Sequence, residues 1–315
     1  MQILKTVKKV PGGIMVVPLL LGALINTFIP QVLDIGGFTT ALFKTSASAG
    51  IAMFLFCNGA QINVKEAGSS VVKGTVLTLV KFIIGAAIGW LIGKTFGMNG
   101  VLGLSPIAII AAVTNSNGGL YAALAGQYGD ASDVGAISIL SINDGPFLTM
   151  VALGASGLAN IPFISLVACV VPIIVGFILG NLDEELREFL KQGTVITIPF
   201  FAFPLGAALN FGQLISAGIP GIILGLLSTL LTGLGGYFVM KLMKNPHPAV
   251  GAAIGTTAGN AVGTPNAIAE ADPTIAAIAP IATVQVAAAI IVTAICCPLL
   301  VSYFDKLEKR KASKA

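Results

Sequence analysis

TNSNGG at residues 114–119 and TTAGNAVGTPN at 256–266 are two polar, glycine-bearing interruptions inside long apolar stretches. Each lies near the middle of a segment long enough to cross a bilayer. Lipid offers no hydrogen-bond partner to an exposed backbone, so a broken helix is stable there only where protein or a polar cavity surrounds it. Two such breaks in corresponding positions of two halves are typical of the binding site of a secondary transporter.

The composition is that of an integral membrane protein. The 315 residues are 56% hydrophobic and only 10% charged, and the mean hydropathy of +0.96 lies far above that of soluble domains. The net charge of +4 is unevenly spread, which argues against nucleic-acid binding. Cys57, Cys169, Cys296 and Cys297 lie in apolar runs without CxxC spacing, so they are interpreted as small buried hydrophobic residues.

Hydropathy predicts ten crossings. The predicted segments, numbered 1 to 10, are 13–30, 46–63, 71–94, 100–127, 132–156, 161–181, 193–211, 214–241, 248–271 and 274–303. With ten crossings, 14 of the 17 lysines and arginines fall on the side of the termini, whereas Lys44 and Lys94 fall on the opposite side. Basic residues mark the cytoplasmic side, so both termini are predicted to be cytoplasmic.

Two pairs of similar stretches divide the chain into halves. They are VVPLLLG at 16–22 with VVPIIVG at 170–176, and FLFCNGAQIN at 54–63 with FAFPLGAALN at 201–210. Segments 1 and 2 therefore correspond to segments 6 and 7. A unit of five crossings is odd-numbered, so the second copy enters the membrane from the other face. Residues 1–157 and 158–315 are thus predicted to form an inverted-topology repeat.

The breaks in segments 4 and 9 are the predicted ligand site. Half-helices that meet near the midplane present free N–H groups at one end, which favour anions, and carbonyls at the other, which favour cations. The predicted contacts are Asn115, Ser116, Asn117, Gly118, Gly119, Asn143, Asn260, Thr264, Pro265, Asn266 and Gln285. A small polar or anionic ligand is expected, with its carboxylate near 117–119 and 263–266. The alternative is that these residues only let the helices kink and pack.

Ionisable side chains inside spanning segments are costly and are therefore candidates for ion coupling. Asp144 lies deep in segment 5 and is the predicted proton carrier, because desolvation favours protonation of a lone carboxylate. Alternatively, it is a structural carboxylate neutralised by Lys81 of segment 3. Glu270 is the second candidate for proton coupling, unless it lies at the external interface beside Asp272, and Lys81 is predicted to take part in proton coupling as the partner of the carrier.

Enzymes and nucleotide-driven pumps lack support in the sequence. The chain has a single histidine, no GxSxG, HExxH or P-loop motif, and only short loops. The prediction is a transporter, not an enzyme, that has no cofactor beyond a coupling ion and is driven by an ion gradient or by the gradient of its substrate.

Four stretches resemble the bacterial 2-keto-3-deoxygluconate permease family. They are KKVPGGIMVVPLLLGALINT at 8–27, TNSNGGLYAAL at 114–124, NLDEELREFL at 181–190 and PFFAFPLGAALN at 199–210. The resemblance covers nearly the whole chain and implies an inner-membrane symporter that takes up 2-keto-3-deoxygluconate, a sugar acid, with protons. That family is similar in topology to the bile-acid/sodium symporter-like group. The similarity implies a panel domain of segments 1, 2, 6 and 7 and a core domain of segments 3–5 and 8–10, with segments 4 and 9 crossing and the core sliding against the panel.

The chain departs from the family pattern at two places. It has AVTNSNGGLY at 112–121 where the family pattern resembles DMTNGGLY. It has SINDGP at 141–146 where the family pattern resembles SLESGP. A related sugar acid therefore stays open, as does sodium-coupled uptake of another small organic anion, for which Thr114, Asn115 and Glu270 offer oxygen ligands. An uncoupled channel or sensor is the alternative from another class. A homodimer in the bilayer is also compatible with the sequence.

Overall fold

The structure, a computed structural model, describes residues 2–9, 13–63, 68–143 and 145–313, with the side chains of 211, 213, 214, 216 and 312 left out. The α-helices are α1 Ile3–Val7, α2 Gly13–Phe28, α3 Gly37–Phe43, α4 Ala47–Gln61, α5 Ser69–Phe96, α6 Pro106–Thr114, α7 Gly118–Tyr128, α8 Ala131–Gly135, α9 Ile137–Leu140, α10 Phe147–Ala155, α11 Phe163–Leu182, α12 Glu184–Lys191, α13 Gly193–Ala207, α14 Phe211–Leu242, α15 Thr264–Ala271 and α16 Ala279–Ala312. Short 3₁₀ helices are Pro30–Asp34, Ser141–Asn143, Pro248–Ile254, Gly259–Gly263 and Pro273–Ile275. The described chain is therefore helical, apart from an isolated β-bridge between Val101 and Leu104.

Several helices are long and apolar enough to cross a bilayer. Four do so alone by length and composition: Ser69–Phe96, Phe163–Leu182, Ala217–Leu242 and Ala279–Lys311. Three bent pairs, α3 with α4, α6 with α7, and 131–143 with α10, raise the number in the described chain to seven if each pair is one crossing. The protein is thus a multi-pass helical membrane protein, while the count of ten crossings and the inverted repeat stay predictions.

Segment 9 is predicted to consist of two α-helical halves, and its first half has a different form. Its first half is the 3₁₀ helix Pro248–Ile254, and the chain continues through a non-helical stretch at 255–258 into Gly259–Gly263 and α15. Glycines explain the tight fit of this segment, because a Cβ on Gly251 would lie 2.1 Å from the carbonyl oxygen of Gly236 in α14. Gly251 therefore allows segment 9 to cross α14 with backbones in contact.

The helices pack in two groups. One group consists of α2, α4, α11 and α13, and the other is built around α5, α6, α14, α16 and the 3₁₀ helix Pro248–Ile254. The similar stretches of the sequence lie in the first group, which we call the panel; we call the second group the core.

Glycines of the two similar stretches make equivalent contacts inside the panel. A Cβ on Gly22 would lie 2.2 Å from the carbonyl oxygen of Phe203, where α2 meets α13. Its counterpart Gly176 would place a Cβ 1.9 Å from the carbonyl oxygen of Phe56, where α11 meets α4. Both positions need glycine because the neighbouring backbone occupies the side-chain space, which gives the sequence similarity a packing cause.

Candidate functional site

The two breaks contact each other directly. The Asn117 N–H donates to the Thr256 hydroxyl at 2.9 Å, and the Ala258 N–H donates to the Asn115 carbonyl at 3.3 Å. The Thr257 hydroxyl donates to the Ala112 carbonyl at 3.0 Å. Backbone groups released by one interruption are thus satisfied by the other, as the absence of water in a bilayer requires.

The start of α7 presents free amide groups. Asn117 is its N-cap, and its side-chain oxygen accepts from the Leu120 N–H at 3.0 Å. The Tyr121 N–H bonds to the Asn117 carbonyl at 2.9 Å, so the amides of Gly118 and Gly119 precede the first intrahelical bonds. These two N–H groups lie at the positive end of the helix dipole, where an anion is favoured.

A first cavity of about 640 Å³ opens beside this helix start. Its polar lining consists of Lys8, Asn58, Gln61, Ser116, Asn117, Ser138, Ser141, Lys191, Thr194 and Asn260, together with the backbone of Gly118, Gly119 and Gly259. Among the described lining residues the charged ones are Lys8 and Lys191, both basic. A cavity of this size suits a small molecule, and its charge favours an anion.

Two buried polar groups in that wall lack a hydrogen-bond partner among the described residues. They are the Ser116 hydroxyl and the Asn260 side-chain N–H₂ group, and their residues are 0% and 3% exposed. A buried polar group without a partner costs free energy. Both groups line the first cavity, so a ligand placed there would satisfy them.

A second polar cluster surrounds the end of α6. The Thr114 and Thr149 hydroxyls lie 3.0 Å apart, and the Asn143 amide donates to the Thr114 carbonyl. The side-chain oxygens of Asn115 and Asn143 are buried and have no partner among the described residues. This end of the broken helix therefore presents oxygens, as a carbonyl end does.

Lys81 binds the carbonyl end of the first half of segment 9. Its Nζ donates to the carbonyls of Ile254 and Thr256 at 2.6 Å each, and the residue is fully buried.

A second cavity of about 620 Å³ lies between panel and core at the other end of α4. Lys44, Ser48, Asn266 and Glu270 line it. The Ser48 hydroxyl, on the panel, donates to Glu270 Oε1, on the core, at 2.6 Å. The first cavity reaches Gln61, the last residue of α4, whereas the second reaches its first turn. The cavities therefore lie at opposite ends of the panel–core boundary.

An apolar layer separates the two cavities. Phe54 lines the first cavity, and Ile51, one helical turn away, lines the second. The ring of Phe54 packs edge-on against Phe201 with centroids 5.8 Å apart. On the core side, a Cβ on Gly263 would lie only 2.3 Å from Ile51 Cδ1. On α13 the nearest lining residues of the two cavities, Ile198 and Pro204, are about 9 Å apart along the helix axis, so the layer is thin and closely packed.

The predicted ligand residues divide between these places. Ser116, Asn117, Gly118, Gly119 and Asn260 line the first cavity. Asn115 and Asn143 lie in the cluster beside it. Asn266 and Glu270 line the second cavity instead, and Glu270 is solvent-exposed two residues before Asp272.

Three predicted contacts lie away from both linings. Thr264 and Pro265 are buried at the start of α15. Gln285 is also buried, and its amide donates to the Gly103 carbonyl at 2.6 Å. Asp144 lies outside the described residues, and Lys81 bonds to backbone carbonyls as given above.

The panel and the connectors supply lining residues that the sequence prediction omits. Asn58 and Gln61 lie on α4, and Thr194 lies at the start of α13. Asn58 follows Cys57 in a stretch that recurs as 201–210, and a polar residue inside such an apolar stretch is the signal that points to it. Lys8 and Lys191 carry no such signal, because charged residues are ordinary outside the spanning segments.

Comparison of sequences identifies close relatives along the full length. A family profile described as 2-keto-3-deoxygluconate permease matches residues 4–310. The chain is 53% identical to 2-keto-3-deoxygluconate permease 1 of Salmonella typhimurium, covering 99% of this chain and 98% of that protein. It is 40% identical to 2-keto-3-deoxygluconate permease of Bacillus subtilis, covering 99% and 96%.

A solved structure shares the fold at low sequence identity. The sodium proton antiporter MjNhaP1 from Methanocaldococcus jannaschii superposes with a TM-score of 0.52 over 93% of this chain and 91% of that chain, at 17% identity. The likeness identifies a membrane-transporter fold.

Proposed function

The chain belongs to the 2-keto-3-deoxygluconate permease family, and from this we propose that it imports 2-keto-3-deoxygluconate by proton symport with elevator-like alternating access. The relatives are named permeases, so the chain is a transporter and not an enzyme. The proposed location is the bacterial inner membrane, with both termini cytoplasmic as the distribution of basic residues indicates.

The first cavity carries the substrate proposal. The sugar acid has a carboxylate and several hydroxyls, and the cavity offers groups of matching chemistry. The amides of Gly118 and Gly119 would receive the carboxylate, where the helix dipole favours negative charge. Asn260 would donate to an oxygen of the substrate, and the Ser116 hydroxyl would donate or accept. These two groups are buried and lack a partner among the described residues, and this is the observation on which the site assignment depends.

Alternating access is supported by the two cavities. They lie at opposite ends of the boundary between panel and core, with the thin layer around Ile51 and Phe54 between them. Lys8 and Lys191 belong to the first cavity and Lys44 to the second, so the first opens toward the cytoplasm in the proposed topology. The arrangement is then the inward-facing state, which a movement of the core along the panel would convert to the outward-facing state.

The inverted repeat of 1–157 and 158–315 belongs to the same proposal. The glycine contacts of α2 with α13 and of α4 with α11 support it, because they pair equivalent positions of the two halves. In an inverted repeat the two halves can exchange conformations, and this exchange converts the inward-facing state into the outward-facing state.

Proton coupling is assigned first to Asp144 and second to Glu270. Glu270 bridges panel and core through Ser48, and protonation of this carboxylate would change a contact that must break during transport. Lys81 is proposed to act through the backbone of segment 9 and not as an ion-pair partner.

The test is uptake of 2-keto-3-deoxygluconate into proteoliposomes. A pH gradient, acid outside, should drive accumulation above the external concentration, and Asp144→Asn should abolish it. Accumulation driven by the pH gradient in Asp144→Asn would show that this carrier assignment is wrong. Equilibration without accumulation under every ion gradient would support an uncoupled channel instead.

Sodium coupling is the second candidate, and the cluster at the end of α6 favours it. The buried oxygens of Asn115 and Asn143 have no partner among the described residues, and the Thr114 hydroxyl lies close by. Oxygens at the carbonyl end of a broken helix are the ligands that sodium takes in transporters. Removal of sodium at a fixed pH gradient separates the two proposals, because only sodium coupling would lose uptake.

A further inference from the structure

The carbonyl ends of the two broken segments are satisfied differently. At the end of α6, neutral groups serve the carbonyls: the Asn115 amide donates to Ala111 at 2.8 Å, and the Thr257 hydroxyl donates to Ala112 at 3.0 Å. At the end of Pro248–Ile254, the amine of Lys81 serves them. Among the described residues, the carbonyls of the second break thus accept from a potentially charged amine and those of the first accept from neutral groups.

Lys81 is placed as a bound cation would be. It projects from α5, a helix outside segment 9, and reaches the Ile254 and Thr256 carbonyls at 2.6 Å. Both contacts lie within hydrogen-bond distance, and an ammonium group donates only, so it matches two acceptor carbonyls. The Thr232 hydroxyl donates to the Ile254 carbonyl as well, at 3.2 Å, so two side chains of the described residues bind this carbonyl.

The surroundings explain why such a group is needed. The residue is 0% exposed, so water cannot serve the carbonyls that the break releases. The partial negative charge of a helix C-terminus stabilises a cation placed against it. In transporters with broken helices, unwound carbonyls commonly hold a mobile ion, and here a side chain occupies that position.

We infer that Lys81 is a tethered cation, which permanently fills the ion position at the break of segment 9. This goes beyond the proposed function and does not depend on which substrate is carried. Any mobile coupling ion then acts elsewhere, and the break keeps its geometry throughout the transport cycle. Lys81 is accordingly a positioning residue, because it acts on the site through the Thr256 backbone.

The experiment is chemical rescue of Lys81→Ala, measured as the melting temperature of the purified protein. Truncation should lower Tm by about 5 °C or more, since two buried carbonyls lose a charged donor. Propylammonium chloride should restore part of the loss by binding in the vacated space. The matched control is 1-propanol, which has the same size without charge, and choline chloride controls for ionic strength.

The expected result is rescue by propylammonium and by neither control, with no effect of these additives on the unsubstituted protein. Three results would overturn the inference: Lys81→Ala as stable as the unsubstituted protein, equal rescue by propanol, or no rescue by propylammonium. If Lys81→Ala cannot be purified, Lys81→Arg and Lys81→Met decide. Arginine keeps the charge and should give the more stable protein, and equal stability of the two variants would contradict the inference.

The melting measurement is independent of transport. Failure of the rescue would leave the proposed uptake of the sugar acid untouched. Failure of uptake by the unsubstituted protein would leave the role of Lys81 untouched.

Discussion

The backbone N–H of Asn117 and the hydroxyl of Thr256 lie 2.9 Å apart and join the two broken segments by one hydrogen bond. Asn117 is the N-cap of α7, and Thr256 lies in the break of segment 9. The carbonyl of the same Thr256 accepts a hydrogen bond from Lys81. A change at either break is therefore transmitted to the other through a single side chain, that of Thr256.

Thr256→Val tests this junction. The substitution keeps the shape but leaves the Asn117 N–H unpaired, which should cost about 1–3 kcal/mol and misplace the start of α7. Both Tm and the affinity for 2-keto-3-deoxygluconate should fall. Thr256→Ser retains the hydroxyl and should behave nearly as the unsubstituted protein; equal effects of valine and serine would exclude the hydrogen bond as the cause.

Asn260→Asp tests the anion site. The change is isosteric, but it replaces the unpartnered donor with a carboxylate that repels the sugar acid. The dissociation constant should rise by about tenfold or more, as like charges in a partly desolvated site do, and calorimetry in detergent would measure it. Asn266→Asp makes the same change in the second cavity and is the control. A larger effect at Asn266 would place the substrate there instead.

Lys191→Gln tests the basic rim of the first cavity. The side chain is 61% exposed, so it should act by long-range attraction and raise the dissociation constant only about two- to threefold at low salt. The difference should disappear at high salt because the charge is screened. Lys94→Gln, on the opposite side, should show no such salt dependence, and a salt-independent effect at Lys191 would instead indicate direct contact.

A reversible link between Ser48 and Glu270 tests the movement of core against panel. In a variant whose four native cysteines are replaced by alanine, Ser48→Cys with Glu270→Cys should react with a short bifunctional thiosulfonate. Uptake should fall at least about tenfold, because the packed groups can no longer exchange between two arrangements. A reductant should restore it, and the reagent should not change the uptake of either single-cysteine variant relative to the same variant without reagent. Undiminished uptake by the linked protein would rule out relative movement at this contact.

Asp130→Asn tests an acid-sensitive cap outside the spanning helices. The Ser132 hydroxyl and the Asp133 N–H donate to the Asp130 carboxylate at 2.7 and 3.0 Å, and they lower its pKa to about 2. Because the folded pKa lies below the unfolded value of about 3.9, the stabilisation is complete above pH 4 and is lost as pH falls toward 2.

The Asn variant should therefore melt below the unsubstituted protein at neutral pH, and the gap should close between pH 4 and 2. The effect is small because the carboxylate is half-exposed. Asp130→Ser keeps a capping side chain without the charge. Its difference in melting temperature from the unsubstituted protein should close between pH 4 and 2, as for the Asn variant. A gap that persists at pH 2 would indicate lost packing and not lost charge.

The breaks at 114–119 and 256–266 could be predicted because a polar run inside an apolar segment has few stable arrangements in lipid. The outcome for Asn260 and Asn266 shows the limit of such reasoning. They are six residues apart in one interruption, yet they line different cavities. Which cavity a residue reaches depends on how the panel packs against the core, and the local sequence does not encode that.

Lys81 shows a second limit. Because Asp144 lies outside the described residues, its pairing with Lys81 stays a prediction, whereas the backbone contacts of this lysine could not be foreseen. Its described partners are backbone carbonyls, which every residue possesses and no motif marks. The 3₁₀ form of Pro248–Ile254 could not be predicted either, since glycines at every fourth position form a stripe on an α-helix, whereas a 3₁₀ helix aligns residues three apart.

The thin layer between the cavities has an electrical consequence. On α13, Ile198 lines the first cavity and Pro204 lines the second, and these residues are six positions or about 9 Å apart along the helix axis. Water in the two cavities brings each bulk solution to this layer, so the transmembrane voltage falls mostly across it and not across about 30 Å of hydrocarbon. A unit charge that passes this layer gains or loses about 2.3 kcal/mol per 100 mV. One short step should therefore account for nearly all the voltage dependence of uptake.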